Sequence, residues 1–130
     1  MTAEINQMVA LEVDQPKNLL IIRFSGRVEP YETEEDLEQI RSGLTKLQSG
    51  FRLLVELTKL EAMDVACAPS IEKAMDLCNE KGVSIVVRVI PDPHRDIGLQ
   101  IMSIFHYSGD VQILTCQTLA EADELLRPQP

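Results

Sequence analysis

Positive charge is scarce in this sequence. Its 12 lysines and arginines face 21 aspartates and glutamates, for a formal net charge of -9. A nucleic-acid surface needs clustered Lys and Arg against phosphates, whereas the densest charge here has the other sign: Glu29 to Glu38, EPYETEEDLE, holds six acids and no base. Anionic membrane surfaces are disfavoured for the same reason. Long apolar runs are lacking too. The longest, Leu19 to Ile22, is far short of the roughly 20 residues of a membrane helix. The opening MTAEINQMVALEVDQ has neither the basic start nor the continuous apolar stretch of a signal peptide, so a cytoplasmic location is expected.

Cysteine is limited to Cys67, Cys78 and Cys116, odd in number and without a C-x-x-C pair. That spacing suggests neither a disulfide framework nor a zinc site, and buried free thiols are expected instead. Catalytic signatures are missing as well. His94 and His106 are separated in the chain, Cys67 follows no nucleophile-elbow sequence, and no glycine-rich loop opens a helix to cradle phosphate. The chain is expected to be no enzyme and to use no metal and no cofactor.

What is present reads as one soluble domain spanning 1–130: 45% hydrophobic and 25% charged residues are ordinary for a globular protein, and this length suffices for a single core. Met8 to Val13 and Leu19 to Phe24 are apolar enough for strands, and DQPKN between them supplies hairpin turn residues. After Gly26 the period changes. Leu37, Ile40, Leu44 and Leu47 recur at helical spacing, with Thr33 placed as N-cap and Asp36 in the first turn. The acids Glu32 to Glu38 are then expected to form a solvated helix start, where the macrodipole favours negative charge, with the leucine and isoleucine face buried.

FRLLVEL, residues 51–57, suits a strand covered on both faces. The next helix carries Ile71, Ala74, Met75 and Cys78 on one face and stops at NEKG, with Gly82 fit for a left-handed C-cap. VSIVVRVI, residues 83–90, is almost all β-branched and reads as a strand. Asp92 and Pro93 read as N-cap and first residue of a helix carrying Ile97, Ile101 and Phe105. VQILTC is a last strand. Thr118 and Glu121 have capping-box spacing before a short helix with Leu119, Ala122, Leu125 and Leu126. The order β-β-α-β-α-β-α-β-α predicts an α/β fold: a mostly parallel five-stranded sheet with an antiparallel N-terminal hairpin and about four helices.

Three segments, FSGRVEP, LLVELTKLEAMD and FHYSGDVQILTCQTLAEADELL, together resemble the STAS domain of bacterial anti-sigma factor antagonists, over about residues 5–127. The family pattern runs from a strand acid to an Asp-Ser-Ser-Gly turn that opens a helix. Glu56 stands at the strand acid and Asp64 at the turn Asp, while Val65, Ala66 and Cys67 stand where the family has Ser, Ser and Gly. Gly26 and Glu29 match its Gly-x-x-Asp, with Glu for Asp.

The resemblance implies a non-catalytic signalling module that binds a protein partner, either a kinase-like anti-sigma factor or another STAS protein. In the family a partner kinase phosphorylates the second Ser of the turn, and Ala66 cannot accept phosphate. The expected contact residues are Glu29, Asp64, Val65, Ala66 and Cys67, with Ser70 and Lys73 on an exposed side of the following helix. Thr58 and Ser70 are alternative hydroxyls that do not match the family position. Pro69 requires the helix to begin no earlier than an N-cap at Ala66, with Asp64 capping through an irregular turn. The alternative function is a STAS protein that binds a small molecule or lipid, or serves as accessory subunit of a transport ATPase.

Overall fold

The computed structural model describes residues 9–90 and 111–127. Strands β1 (Val9–Asp14), β2 (Leu19–Val28), β3 (Arg52–Met63), β4 (Ile85–Val89) and β5 (Gln112–Cys116) form one sheet in chain order. β1 pairs antiparallel with β2, and the other three pairings are parallel. The hairpin closes through Asn18, which adopts a left-handed φ of 52°, a conformation Asn tolerates better than most residues. The expected mostly parallel sheet with an antiparallel opening hairpin is therefore observed.

Three α-helices lie among the described residues: α1 (Pro30–Leu44), α2 (Ala68–Lys81) and α3 (Leu119–Leu125). The fourth expected helix, beginning at Asp92, falls outside the described residues. Both sheet faces are covered, as continuous apolar strands require. On one face α1 and α2 pack Ile40, Leu44, Ile71 and Met75 over Leu20, Ile22, Leu53 and Val86. On the other, α3 sets Ala122 and Leu126 against Leu54, Val87 and Cys116. Arg88 is buried in β4, with Nη2 donating to Thr115 Oγ1 at 2.8 Å. Cys67, Cys78 and Cys116 are buried free thiols.

Two helices depart from expectation. Thr33 is not the N-cap of α1. The helix starts at Pro30, whose fixed φ suits a first helical position and whose missing N–H costs nothing there. Glu29 is the N-cap, and its N–H donates to Glu32 Oε1 at 2.8 Å. With the start at Pro30, Thr33 is helical and lies inward with Ile40 and Leu44, as does Asp36, four residues before Ile40, and Thr33 Oγ1 donates to Pro30 O at 2.9 Å. Asp36 thus leaves the solvated acid cluster, Glu34, Glu35 and Glu38 stay exposed, and Leu37 is half-buried. In α3 the Thr118 to Glu121 capping box forms as expected. The helix buries Ala122, and its C-cap Leu126 at i+4 is buried with it, which leaves Leu119 and Leu125 exposed.

The lengths of the strands place the turn after β3. β4 pairs with Arg52 to Glu56 of β3, so beyond Glu56 β3 has, among the described strands, only β2 beside it, as far as the Val28 and Met63 pair. The register shifts twice along this stretch, between Arg23 and Ser25 and between Gly26 and Arg27. Gly26 takes a φ of 65°, which a β-carbon would oppose. The result is a two-stranded ribbon that carries the turn after β3 to the carboxyl end of the sheet.

Candidate functional site

Asp64 is where this ribbon ends and the helical layer begins. Its N–H donates to Val28 O at 3.2 Å, one step beyond the last strand pair. Its Oδ1 accepts the N–H of Ala66 at 2.8 Å, and its carbonyl accepts the N–H of Cys67 at 2.9 Å. Those bonds wind Val65–Cys67 into one 3-10 turn ahead of α2. Cys67 is the residue before α2 and has no side-chain cap. Asp64 supplies the cap one turn earlier, which reconciles Pro69 at the start of α2 with a turn lacking hydroxyls.

Within the turn the side chains alternate in fate. Cys67 is 0% exposed, its thiol 3.6 Å from Val28 O. Burial pushes that thiol up, the Thr33 hydroxyl works in the opposite direction, and the charges of Asp64 and Glu29 push it further up. Val65 is 86% exposed and Ala66 is exposed beside it. α1 packs against the turn, and its first turn presents Tyr31, 61% exposed, at the same end of the sheet. Among the described residues, Val65 and Tyr31 are the most exposed of the four large hydrophobic side chains open to water.

Of the expected contact residues, Glu29, Asp64, Val65, Ala66 and Lys73 are exposed. Ser70 is not on the outer side of α2, as expected, but buried at 7%. The helix starts at Ala68, so Ser70 shares its inner face with Ile71. Cys67 is likewise inaccessible. Glu56 is remote from the turn's surface: buried, it takes Arg23 Nε at 2.9 Å and the Thr58 hydroxyl at 2.8 Å. Thr58 is thereby engaged by a carboxylate that would oppose an added phosphate.

Tyr31 and the burial of Asp36 escaped the sequence reading. Glu29 and Glu32 around Pro30 have capping-box spacing, which marks the helix start beside Tyr31, and the spacing of Asp36 four residues before Ile40 marks its inner face. Asp36 is 5% exposed, and Oδ2 has no hydrogen-bond partner among the described residues. Burial, and secondarily the charge of Glu35, raise this carboxyl to about 7. No group of three His, Cys, Asp or Glu gathers as metal ligands among the described residues. None of the described helices is long and apolar enough to cross a membrane.

No family model and no curated protein matches this sequence. Solved structures match it in fold. An uncharacterized DUF3478-family protein with a SpoIIAA-like fold from Shewanella loihica PV-4 superposes with a TM-score of 0.68 at 15% identity, covering 92% of this chain and 92% of that one. The anti-sigma factor antagonist SpoIIAA in its unphosphorylated form gives 0.62 at 15% identity, covering 93% of this chain and 99% of that one. The Bacillus cell fate determinant SpoIIAA in its phosphorylated form gives 0.64 at 16% identity, covering 92% and 99%.

Proposed function

We propose that this chain, which has the SpoIIAA-like fold, is a regulatory protein-binding module that engages its partner through the turn Asp64 to Ala66. The anti-sigma factor antagonist SpoIIAA, similar in fold, supports this class of function. The observation that carries the reading is Val65, 86% exposed at the tip of a turn whose backbone Asp64 holds in place. An exposed aliphatic side chain on a pre-ordered loop loses little conformational freedom on binding, and burying it against a partner removes apolar area from water.

Tyr31 extends the apolar centre, while Glu29, Asp64 and Lys73 make a charged rim, the usual anatomy of a protein interface. The partner is a kinase-like anti-sigma factor or another STAS protein. With Ala66 at the position where the family carries its phosphoacceptor, the module is held in its binding form without phosphorylation there. The test is affinity capture from the native lysate with wild type and Val65→Asp side by side. A kinase-fold or STAS protein retained by wild type and lost with the variant supports the reading. Equal retention by both would place the contact elsewhere.

A further inference from the structure

A concavity lies on the face of the sheet opposite α1 and α2. Its volume is about 610 Å³, within the range of roughly 300 to 1,000 Å³ that small-molecule sites occupy. Leu19, Ile21 and Leu54 form an apolar floor, and Leu119 of α3 and its C-cap Leu126 line one wall. The opposite wall is β1: Glu12 pairs with Ile21 and Asp14 with Leu19, so both acids project from the floor's side of the sheet.

The charges differ between the ends. At one end Arg23 is already neutralised by Glu12 at 3.0 Å and Glu56 at 2.9 Å. At the amino ends of β2 and β3 stand Lys17 and Arg52. Arg52 donates to Leu126 O and Lys17 O, which fixes its guanidinium between α3 and the hairpin, and neither cation has an ion pair among the described residues. Arg127 is likewise paired, with Glu124 at 3.3 Å, so the unpaired positive charge of the lining lies at Lys17 and Arg52, with the acids Asp14 and Asp123 also in the lining.

We propose that this cleft is a binding site for a single amphipathic carboxylate, an alkyl or aryl chain lying over Leu19, Ile21 and Leu54 with its anionic head at Lys17 and Arg52. Leu19, Ile21 and Leu54 are 7%, 8% and 4% exposed and Leu119 is 42% exposed, so the apolar gain comes chiefly from the ligand's own chain leaving water and from Leu119, and the two cations, partly open to water, supply orientation and selectivity. The guanidinium is pre-ordered by its two carbonyl contacts and can still present N–H groups to a carboxylate. This site is separate from the turn Asp64 to Ala66, which lies at the carboxyl ends of the same strands, so either proposal can fail without the other.

The test is a titration of the full chain with decanoate below its micelle-forming concentration, followed by amide chemical shifts. Saturable shifts confined to Leu19, Ile21, Leu54 and α3 are expected, with decanol, which has the same chain length but no charge, binding at least about fivefold more weakly. Lys17→Glu should weaken decanoate by about the same factor. Leu119→Asp puts a carboxylate in the wall at a first helical position, where an acid suits the helix, and should abolish binding with an unchanged circular dichroism spectrum. No saturable shifts, shifts mapping elsewhere, or equal binding of decanol would each overturn the proposal. Phosphatidylglycerol vesicles separate monomer capture from adhesion to a bilayer: co-sedimentation without groove shifts by decanoate would also overturn it.

Discussion

The Asp64 carboxylate accepts the Ala66 amide at 2.8 Å, so the acid after β3 holds the turn's backbone while Val65 between them stands in water. Asp64→Ala should remove this cap and lower stability by about 0.5 to 2 kcal/mol, the usual cost of losing an Asp cap. Chemical denaturation checks this, with the midpoint falling and the denaturant slope unchanged. A loss below about 0.3 kcal/mol would show that solvent satisfies the Ala66 N–H equally well.

Asp36 makes stability depend on pH in an unusual direction. Its folded carboxyl is raised to about 7 from 3.8, so between those values the folded state holds a proton that the unfolded state has released. Unfolding then loses protons, and the slope of unfolding free energy against pH is negative. The contribution of Asp36 is intact below about pH 4, declines as pH rises toward about 7, and stays low above that. Asp36→Asn, neutral throughout, should raise the melting temperature at pH 8 by several degrees and leave it nearly unchanged at pH 4. Equal effects at both pH values would show that the carboxyl is ionised in the folded protein across this range.

Much of this fold was legible because burial writes a period into the chain. FRLLVEL and VSIVVRVI announce strands covered on both faces, and Gly82 announces the end of α2, where it takes a left-handed φ of 98° and its N–H reaches Asn79 O and Cys78 O. The apolar face of α1 was legible, with Ile40, Leu44 and Leu47 buried, but the acid run was read as wholly solvated although Asp36 lies four residues before Ile40 and eight before Leu44, on the face those residues bury. Ser70 was misplaced for the same reason, since it lies four residues before Ala74 and eight before Cys78, on the face of α2 that is buried. At the turn, the sequence carried the residues and the likeness but not their division, with Val65 outward and Cys67 inward. That division follows from the 3-10 winding between Asp64 and Ala68.

Leu44 tests the phase of α1 directly. It is buried on the helix face that covers β2, in the same cluster as Leu20 and Phe51. Leu44→Ala should cost about 2 to 5 kcal/mol, the range for truncating a buried leucine, read from urea unfolding. A loss under roughly 0.5 kcal/mol would place Leu44 on the surface and rotate the helix away from the orientation described.

Ala66→Asp probes the turn as a contact rather than as a fold element. The Ala66 side chain is exposed and only its backbone N–H is committed, to Asp64, so a carboxylate can be added there without displacing a neighbour. It would set a second negative charge beside Asp64, next to the apolar Val65. A partner surface that closes over Val65 would have to desolvate that charge or pair it, which disfavours binding. Affinity should fall by about 1 to 3 kcal/mol if the turn is central to the interface, roughly fivefold to 150-fold in Kd. Titration calorimetry against the captured partner measures the change, and circular dichroism with thermal melting shows that the fold persists. Equal affinities for wild type and variant would remove the turn from the interface, and the likeness to anti-sigma factor antagonists would then extend to the fold alone.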